Sequence, residues 1–549
     1  MADPTMAKPR AEAEAISTAQ TTEEPVSKND QTTAESFRDD EHDADESLND
    51  KRIEKIYHKL DRRILPGFWI LYFVCAAIRS NVGISLTMNS ETGDSLSQRL
   101  GLSQHQISVG VAVFYVCYVL FDVPANLIMT RVSPHIWMSR IVLGVSVVGA
   151  CHAAISAAWN FYLLRILLGI VIAGMWPGMA YYLTLFYPPN RTGRRIGSYY
   201  TAAQLSAAVV GLVSAGFQKM NRLGGLRGYE WMFLIYGLVG IVIGFLLLWW
   251  LPDRPRAPGQ EPNTSKLTKF VEKILPKRKP AFTGEDGELH YQDLKRAYKP
   301  PQWGIKELIQ IISDWRIWPL IVMYFGVVGV GIGLQIFGTL IIRSTNPNLT
   351  SIELSLLFAP IWIADLIAIL IVTPISDLFH HHRPHFFIFG TLTQITGLLL
   401  TTYHPDPWTK YAGLLIVGFG LGPTVPIIMT WSNEIFQRRH GEVGVAAATA
   451  IVSGLGNCGS IFTTYALYTG WESDRVPGQM YRKSNLTMVG ILGLSTVAAV
   501  GMGVAMRLVD GKEVVGGEDE DGAARGGRGG RGWFKGGRGG GGGCLRGGR

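Results

Sequence analysis

The chain has 549 residues, 47 % of them in the set AVILMFWYC and 17 % charged, where ordinary soluble proteins carry about 25 % charged residues. This deficit excludes a disordered chain and an ordinary soluble one, because the apolar residues fall in long blocks rather than at the period of half-buried helices or strands. The net charge of +8 fits either nucleic acid or a membrane surface, so its placement along the chain decides between them.

Residues 1–50 are acidic, polar and almost free of aromatics, which predicts a disordered acidic tail without a signal peptide. From Lys51 the sign reverses. Lys51, Arg52, Lys55, Lys59, Arg62 and Arg63 flank Ile53, Ile56, Leu60 and Ile64 at helical spacing, a basic amphipathic run that fits the cytoplasmic leaflet. A window of about twenty residues then predicts spans at 64–86, 107–129, 135–157, 161–186, 197–219 and 231–251. After a polar stretch rich in Lys, Arg and Pro, six more follow at 317–341, 354–376, 385–403, 411–431, 444–468 and 486–507.

The expected fold is therefore an all-α integral membrane protein with twelve transmembrane helices in two six-helix halves. The predicted halves are 51–251 and 317–507, joined by a cytoplasmic linker, 252–316, and followed by a disordered Gly/Arg-rich tail, 508–549. Loop charge places Arg131, Arg191, Arg194, Arg195, Arg383, Arg438 and Arg439 on one side, which puts both termini in the cytoplasm. An echo between Arg63-Ile64-Leu65-Pro66 and Arg316-Ile317-Trp318-Pro319 supports a duplicated half. The sequon Asn348-Leu349-Thr350 then falls in an outside loop.

Ionisable groups inside spans are costly in lipid and become functional candidates. Arg79 carries a planar fork suited to a carboxylate, phosphate or sulfate, with Asn81 beside it. Arg165 lies among small residues and serves either a ligand or a helix contact. Asp365 is the candidate for coupling to a proton, whereas His152 reads as a satisfied core histidine. Gln204, Gln335 and Asn457 either line a pathway or join helices, and Tyr115, Tyr118, Tyr181 and Tyr182 offer rings to a flat molecule. Arg79, Asn81, Tyr115, Arg165, Gln204, Gln335 and Asn457 form the expected substrate-binding set.

Other signals are weaker. Gly418 to Pro423 is glycine-rich but lies within a span, so it makes no phosphate cradle. His380, His381, His382 and His385 lack the carboxylate or thiol partners of a metal site. Five cysteines, four of them in spans, form no disulfide or metal pattern. The arginine-glycine tail from Arg525 reads as a solvated segment, and no nucleic acid, metal or cofactor is expected. No nucleophile and base pair up near a bilayer surface, which argues against an enzyme.

Several local runs now narrow the reading: Asp61-Arg62-Arg63-Ile64-Leu65-Pro66, Arg79-Ser80-Asn81-Val82-Gly83, Phe114 through Leu127, Arg165 to Gly178, and Leu251-Pro252-Asp253. With the two sets of six spans, they resemble the major facilitator superfamily and, within it, the fungal allantoate and nicotinate permease group of the anion:cation symporters. The resemblance covers about Lys51 to Arg507. It implies import of a small organic anion, a carboxylate or vitamin-like compound, by alternating access with protons; with no cleavable signal or lumenal retention motif the plasma membrane is the default expectation, and since one chain holds a complete two-half pathway a monomer is expected. The group usually has an acid where this chain has Ile78, and a glutamate where it has Ile172. Isoleucine does not titrate, so the resemblance implies proton symport by another route or facilitated transport. The competing expectation is an efflux carrier for a secondary metabolite or drug-like compound, although the fifth span lacks the Gly-Pro dipeptide of drug antiporters.

Overall fold

A computed structural model describes residues 28–255, 282, 284–297, 305–379, 382–468, 471 and 481–526. The chain divides into two units, Met1–Ile56 and Tyr57–Arg549. The first is helical from Lys28, and the second holds the membrane-spanning bundle. Helix α1 (Lys28–Ser85) carries the first span. It also includes residues 28–50, expected as disordered; no Pro or Gly lies between Lys28 and Asp50 to stop a helix. Residues 1–27 and 527–549 of the expected tails, and His380 and His381, lie outside the described residues.

Two capping boxes shape the turn after α1. Ser95 starts the one-turn α2 (Leu96–Leu100), and Ser103 starts α3 (Gln104–Arg131). Ser103 Oγ accepts from Gln106 N at 3.2 Å while Gln106 Oε1 accepts from Ser103 N at 2.9 Å, so two otherwise orphaned donors are satisfied reciprocally. Helices α4 (Pro134–Cys151), α5 (Ala158–Ile172), α6 (Met175–Thr184), α7 (Pro189–Lys219) and α8 (Gly228–Trp250) complete the first half.

The span predicted as one run over 161–186 is broken between α5 and α6, where Gly174 has φ 78°. Only a residue without Cβ enters this left-handed conformation at no steric cost. The break leaves a backbone donor in the membrane, and Asp122 Oδ1 on α3 accepts from Gly174 N at 2.8 Å.

Among the described residues of the linker are the helices α9 (Glu285–Ala297) and α10 (Ile305–Ser313). The first docks on the first half: Tyr57 OH donates to Asp293 Oδ2 at 2.5 Å, and the buried His290 ring donates from Nε2 to Phe186 O at 2.9 Å. Nearby, Arg195 grips Asp61 bidentately at 2.6 and 2.7 Å, tying α7 to α1 and giving a job to the first residue of the Asp61 motif.

The second half comprises α11 (Ile317–Thr345), α12 (Ser351–Leu378), α13 (Arg383–Tyr403), α14 (Pro407–Gly456), α15 (Cys458–Phe462), a π-helical turn at Thr463–Leu467, and α16 (Arg482–Gly526). The spans predicted at 411–431 and 444–468 differ from this in one respect. The residues connecting them are themselves helical, so α14 takes in the first of these spans and the start of the second, and no proline follows Pro426 before Gly456. The span at 444–468 is then completed by α15 and the π turn. Among the described residues, eleven helices are individually long and apolar enough to cross a membrane; with this composite segment the chain has the twelve crossings of two six-helix halves.

Within the halves α4 packs on α8, α3 on α5, and α13 on α14 and α16; the halves meet where α7 runs along α12 and α3 along α15. Small residues make these approaches close, as lipid-embedded helices require. Among the described residues, side-chain hydrogen bonds between the halves gather toward the end carrying the 86–103 loop. Ser90 Oγ lies 3.0 Å from Ser351 Oγ and accepts from Arg343 Nη1 at 2.8 Å, while Glu91 Oε1 accepts from Ser351 N at 2.7 Å. Gln218 Nε2 donates to Ser355 Oγ at 2.9 Å, and Gln335 Nε2 donates to Ser80 Oγ at 2.7 Å.

Candidate functional site

Helix α1 brings Tyr72 and Arg79, two turns apart, onto the face that looks between the halves. On α3, Phe114, Tyr115 and Tyr118 share a face, and the break in the fourth span turns Met175 and Trp176 toward the same space. Helix α7 adds Tyr200, with Gln204 one turn further on. The second half contributes Tyr324, Val328, Ile332 and Gln335, a single stripe of α11 at spacings of three and four, and Trp362 of α12. Ser453 and Asn457 close the wall.

These side chains line a partly open cavity with two adjoining lobes. Arg79, Tyr72, Tyr200, Val328 and Ile332 belong to both lobes. Arg79 is thus the cation common to the whole cavity. Its Nε has no hydrogen-bond partner, and no described ion pair includes it. Its electrostatic neighbours include the hydroxyls of Tyr115, Tyr72, Tyr118, Tyr200 and Tyr324 and the Cys75 thiol. An uncompensated guanidinium inside aromatic walls favours a ligand carrying one anionic group on an otherwise flat or apolar body.

The structure assembles Arg79, Tyr115, Gln204, Gln335 and Asn457 around this space. Tyr115 OH, Gln204 Oε1 and Gln335 Oε1 are buried without a hydrogen-bond partner, so each has capacity for a ligand. Asn457 Nδ2 instead donates to Ser453 O at 2.7 Å. Asn81, Arg165 and Asp365 stand behind the lining. Asn81 is fully buried with both amide atoms unpartnered. Arg165 is 1 % exposed, and its guanidinium carbon lies 6.0 Å from the Phe114 ring and 5.6 Å from the Phe161 ring. Asp365 is fully buried, with Gln204 and Tyr200 as its polar neighbours.

Of the tyrosines singled out in the sequence, Tyr118 lines the cavity and Tyr182 packs away from it against Phe68, 4.9 Å between ring centres. Sequence reasoning missed Tyr72, Trp176, Tyr200, Tyr324 and Trp362. The spacing of Tyr72 to Arg79 and the α11 stripe were the available signals, but aromatic residues in spans also serve packing and interfaces, and only the tertiary fold separates these uses. Asp122 was read only as part of a motif; the structure gives it the backbone donor of Gly174.

The sequence profile of the Major Facilitator Superfamily matches residues 68–461. The chain belongs to this superfamily. Among individual proteins, this superfamily member is 45 % identical over 455 residues to Vitamin H transporter 1 of Schizosaccharomyces pombe, covering 82 % of this chain and 79 % of that protein. It is 26 % identical over 449 residues to a putative tartrate transporter of Agrobacterium vitis, covering 81 % of this chain and 95 % of that one. In fold it resembles the inward-facing, unoccupied crystal structure of a bacterial homologue of the human lysosomal transporter Spinster. The TM-score is 0.56 at 16 % identity, over 81 % of this chain and 96 % of the other. The protein is accordingly a multi-pass membrane transporter for a small molecule and not an enzyme.

Proposed function

We propose that this transporter imports a small organic anion of the vitamin type across the plasma membrane by alternating access, with vitamin H as the first substrate to test. The observation that carries the reading is Arg79, the unpaired cation shared by both lobes of an aromatic cavity between the two halves. Vitamin H has a carboxylate on a flexible chain and a compact polar ring system. The carboxylate suits the Arg79 fork, and the free acceptors on Tyr115, Gln204 and Gln335 suit ring N–H donors. The 45 % identical vitamin H transporter supports the same class, and the motif resemblance supports the fungal anion:cation symporter group.

In this reading the 86–103 end faces outward and both termini are cytoplasmic. The cross-half hydrogen bonds at that end hold the outer access closed, and they must part for substrate to enter. One chain contains both halves and works as a monomer. Asn81 and Arg165 act from behind the cavity wall. Asp365, beside Gln204, is the candidate for coupling to protons, since Ile78 and Ile172 cannot titrate.

The test is uptake of labelled vitamin H and a panel of small carboxylates by cells lacking their own carriers, with and without a protonophore. Saturable uptake of vitamin H is expected. Protonophore sensitivity would support coupling, and resistance would support facilitated transport. Export from preloaded cells with no uptake of any panel compound would overturn import and favour efflux.

A further inference from the structure

Asp122 and Asp365 are fully buried carboxyl groups outside the cavity lining, and their placement repeats between the halves. Asp122 comes from the second span of the first half and meets Gly174 of the fourth, whereas Asp365 comes from the second span of the other half and meets Gly422 of its fourth. Asp122 Oδ1 accepts from Gly174 N at 2.8 Å, and a Cβ at Gly422 would lie 2.7 Å from Asp365 Oδ1. Only in the first half does the carboxyl hold a backbone N–H, and only there is the glycine at a helix break. Asp122 Oδ2 is buried and has no hydrogen-bond partner.

Gly174 caps α6, whose first residues, Met175 and Trp176, form part of the cavity wall. A carboxylate at a helix N-terminus is favoured by the exposed N–H groups and by the helix dipole. The contact is tight: a Cβ at Gly174 would stand 2.7 Å from Ala125 Cβ on α3. One turn before Asp122, Tyr118 also lines the cavity. The titratable groups facing Asp122 are the Tyr118 and Tyr324 hydroxyls; no described ion pair brings it a cation.

We propose that Asp122 is a positioning residue that latches the broken fourth span and releases it on taking up a proton. As a carboxylate it holds the start of α6 against α3. When one proton from water forms an O–H bond at Oδ2, the charge that favours the helix terminus is lost, and the wall at Met175 and Trp176 loosens. Release of that proton restores the latch, and no other bond is made or broken. The proton thereby changes the shape of the substrate cavity without touching the substrate.

The full chain in lipid vesicles tests this with and without Asp122→Asn, which keeps an Oδ1 acceptor for Gly174 N but does not ionise. Met175→Cys reports the wall through maleimide labelling of its own peptide between pH 5 and 8, normalised to free cysteine at each pH. This readout requires no substrate. At least a threefold change in normalised labelling across the range is expected, abolished by Asp122→Asn and retained in Asp365→Asn. Labelling that does not change with pH, or that changes equally in the Asp122→Asn chain, overturns the latch. In parallel, the KM for vitamin H should lose its pH dependence in Asp122→Asn. This second readout rests on the transport reading; if vitamin H is not carried at all, that reading fails alone and the labelling still decides the latch.

Discussion

Gly83 offers a direct test of the outer closure. It lies where α1 crosses α11, and a Cβ there would stand 2.5 Å from Gln335 O and 3.1 Å from Ile336 Cα. Both are backbone atoms, so rotamer changes cannot relieve the overlap, and Gly83→Ala must push the two helices apart. Two cross-half hydrogen bonds lie beside the contact, Gln335 Nε2 to Ser80 Oγ at 2.7 Å and Thr339 Oγ1 to Gly83 O at 3.4 Å. Losing both at about 1 kcal/mol each costs the closed arrangement about 2 kcal/mol, roughly a 30-fold shift in population toward outward opening. The assay is labelling by a membrane-impermeant thiol reagent of a cysteine placed at Val328, which lines both lobes and makes neither hydrogen bond, with and without Gly83→Ala. Labelling from the outer side should rise by at least tenfold while net uptake falls. Unchanged labelling with normal uptake would refute the reasoning that this crossing must be glycine-close for the cycle to close.

Arg79→Gln should raise the KM for the transported anion by about tenfold to a hundredfold, the value of a charge-assisted hydrogen bond in a desolvated site; Arg79→Lys should fall between, because it keeps the charge but loses the fork, and uptake kinetics of the three chains check both. Burial pushes the His290 imidazole below its ordinary value despite the Phe186 carbonyl it bonds and the nearby Asp293. A group with a lowered folded pKa contributes stability above its unfolded value of about 6.5 and loses it as pH falls, so limited proteolysis should cut residues 284–297 faster at pH 5.5 than at 7.5, and His290→Gln should flatten that difference. Asn348 is exposed beside the Thr350 cap of α12. Expression in a glycosylating host should therefore give a glycosidase-sensitive mass increase that Asn348→Gln removes; its absence would count against an outward 86–103 end.

The membrane class and the division into two sixes were legible from the sequence because a lipid core about 30 Å thick imposes a length on every apolar run. Arg79, Gln204, Gln335 and Asn457 stood out for a related reason: a polar group in an apolar block is expensive wherever the helix later packs. The break at Gly174 was not legible, since a lone glycine in a span serves close packing as readily as a left-handed turn, and Asp122 gains its donor only because α3 passes that point. The same limit hid the ring-lined wall. Which face of each helix turns toward the space between the halves is set by contacts among helices distant in the chain, so Tyr72, Tyr200 and Tyr324 became neighbours of Arg79 only in the folded bundle, while Arg165 and Asp365, equally prominent in the sequence, were placed behind it.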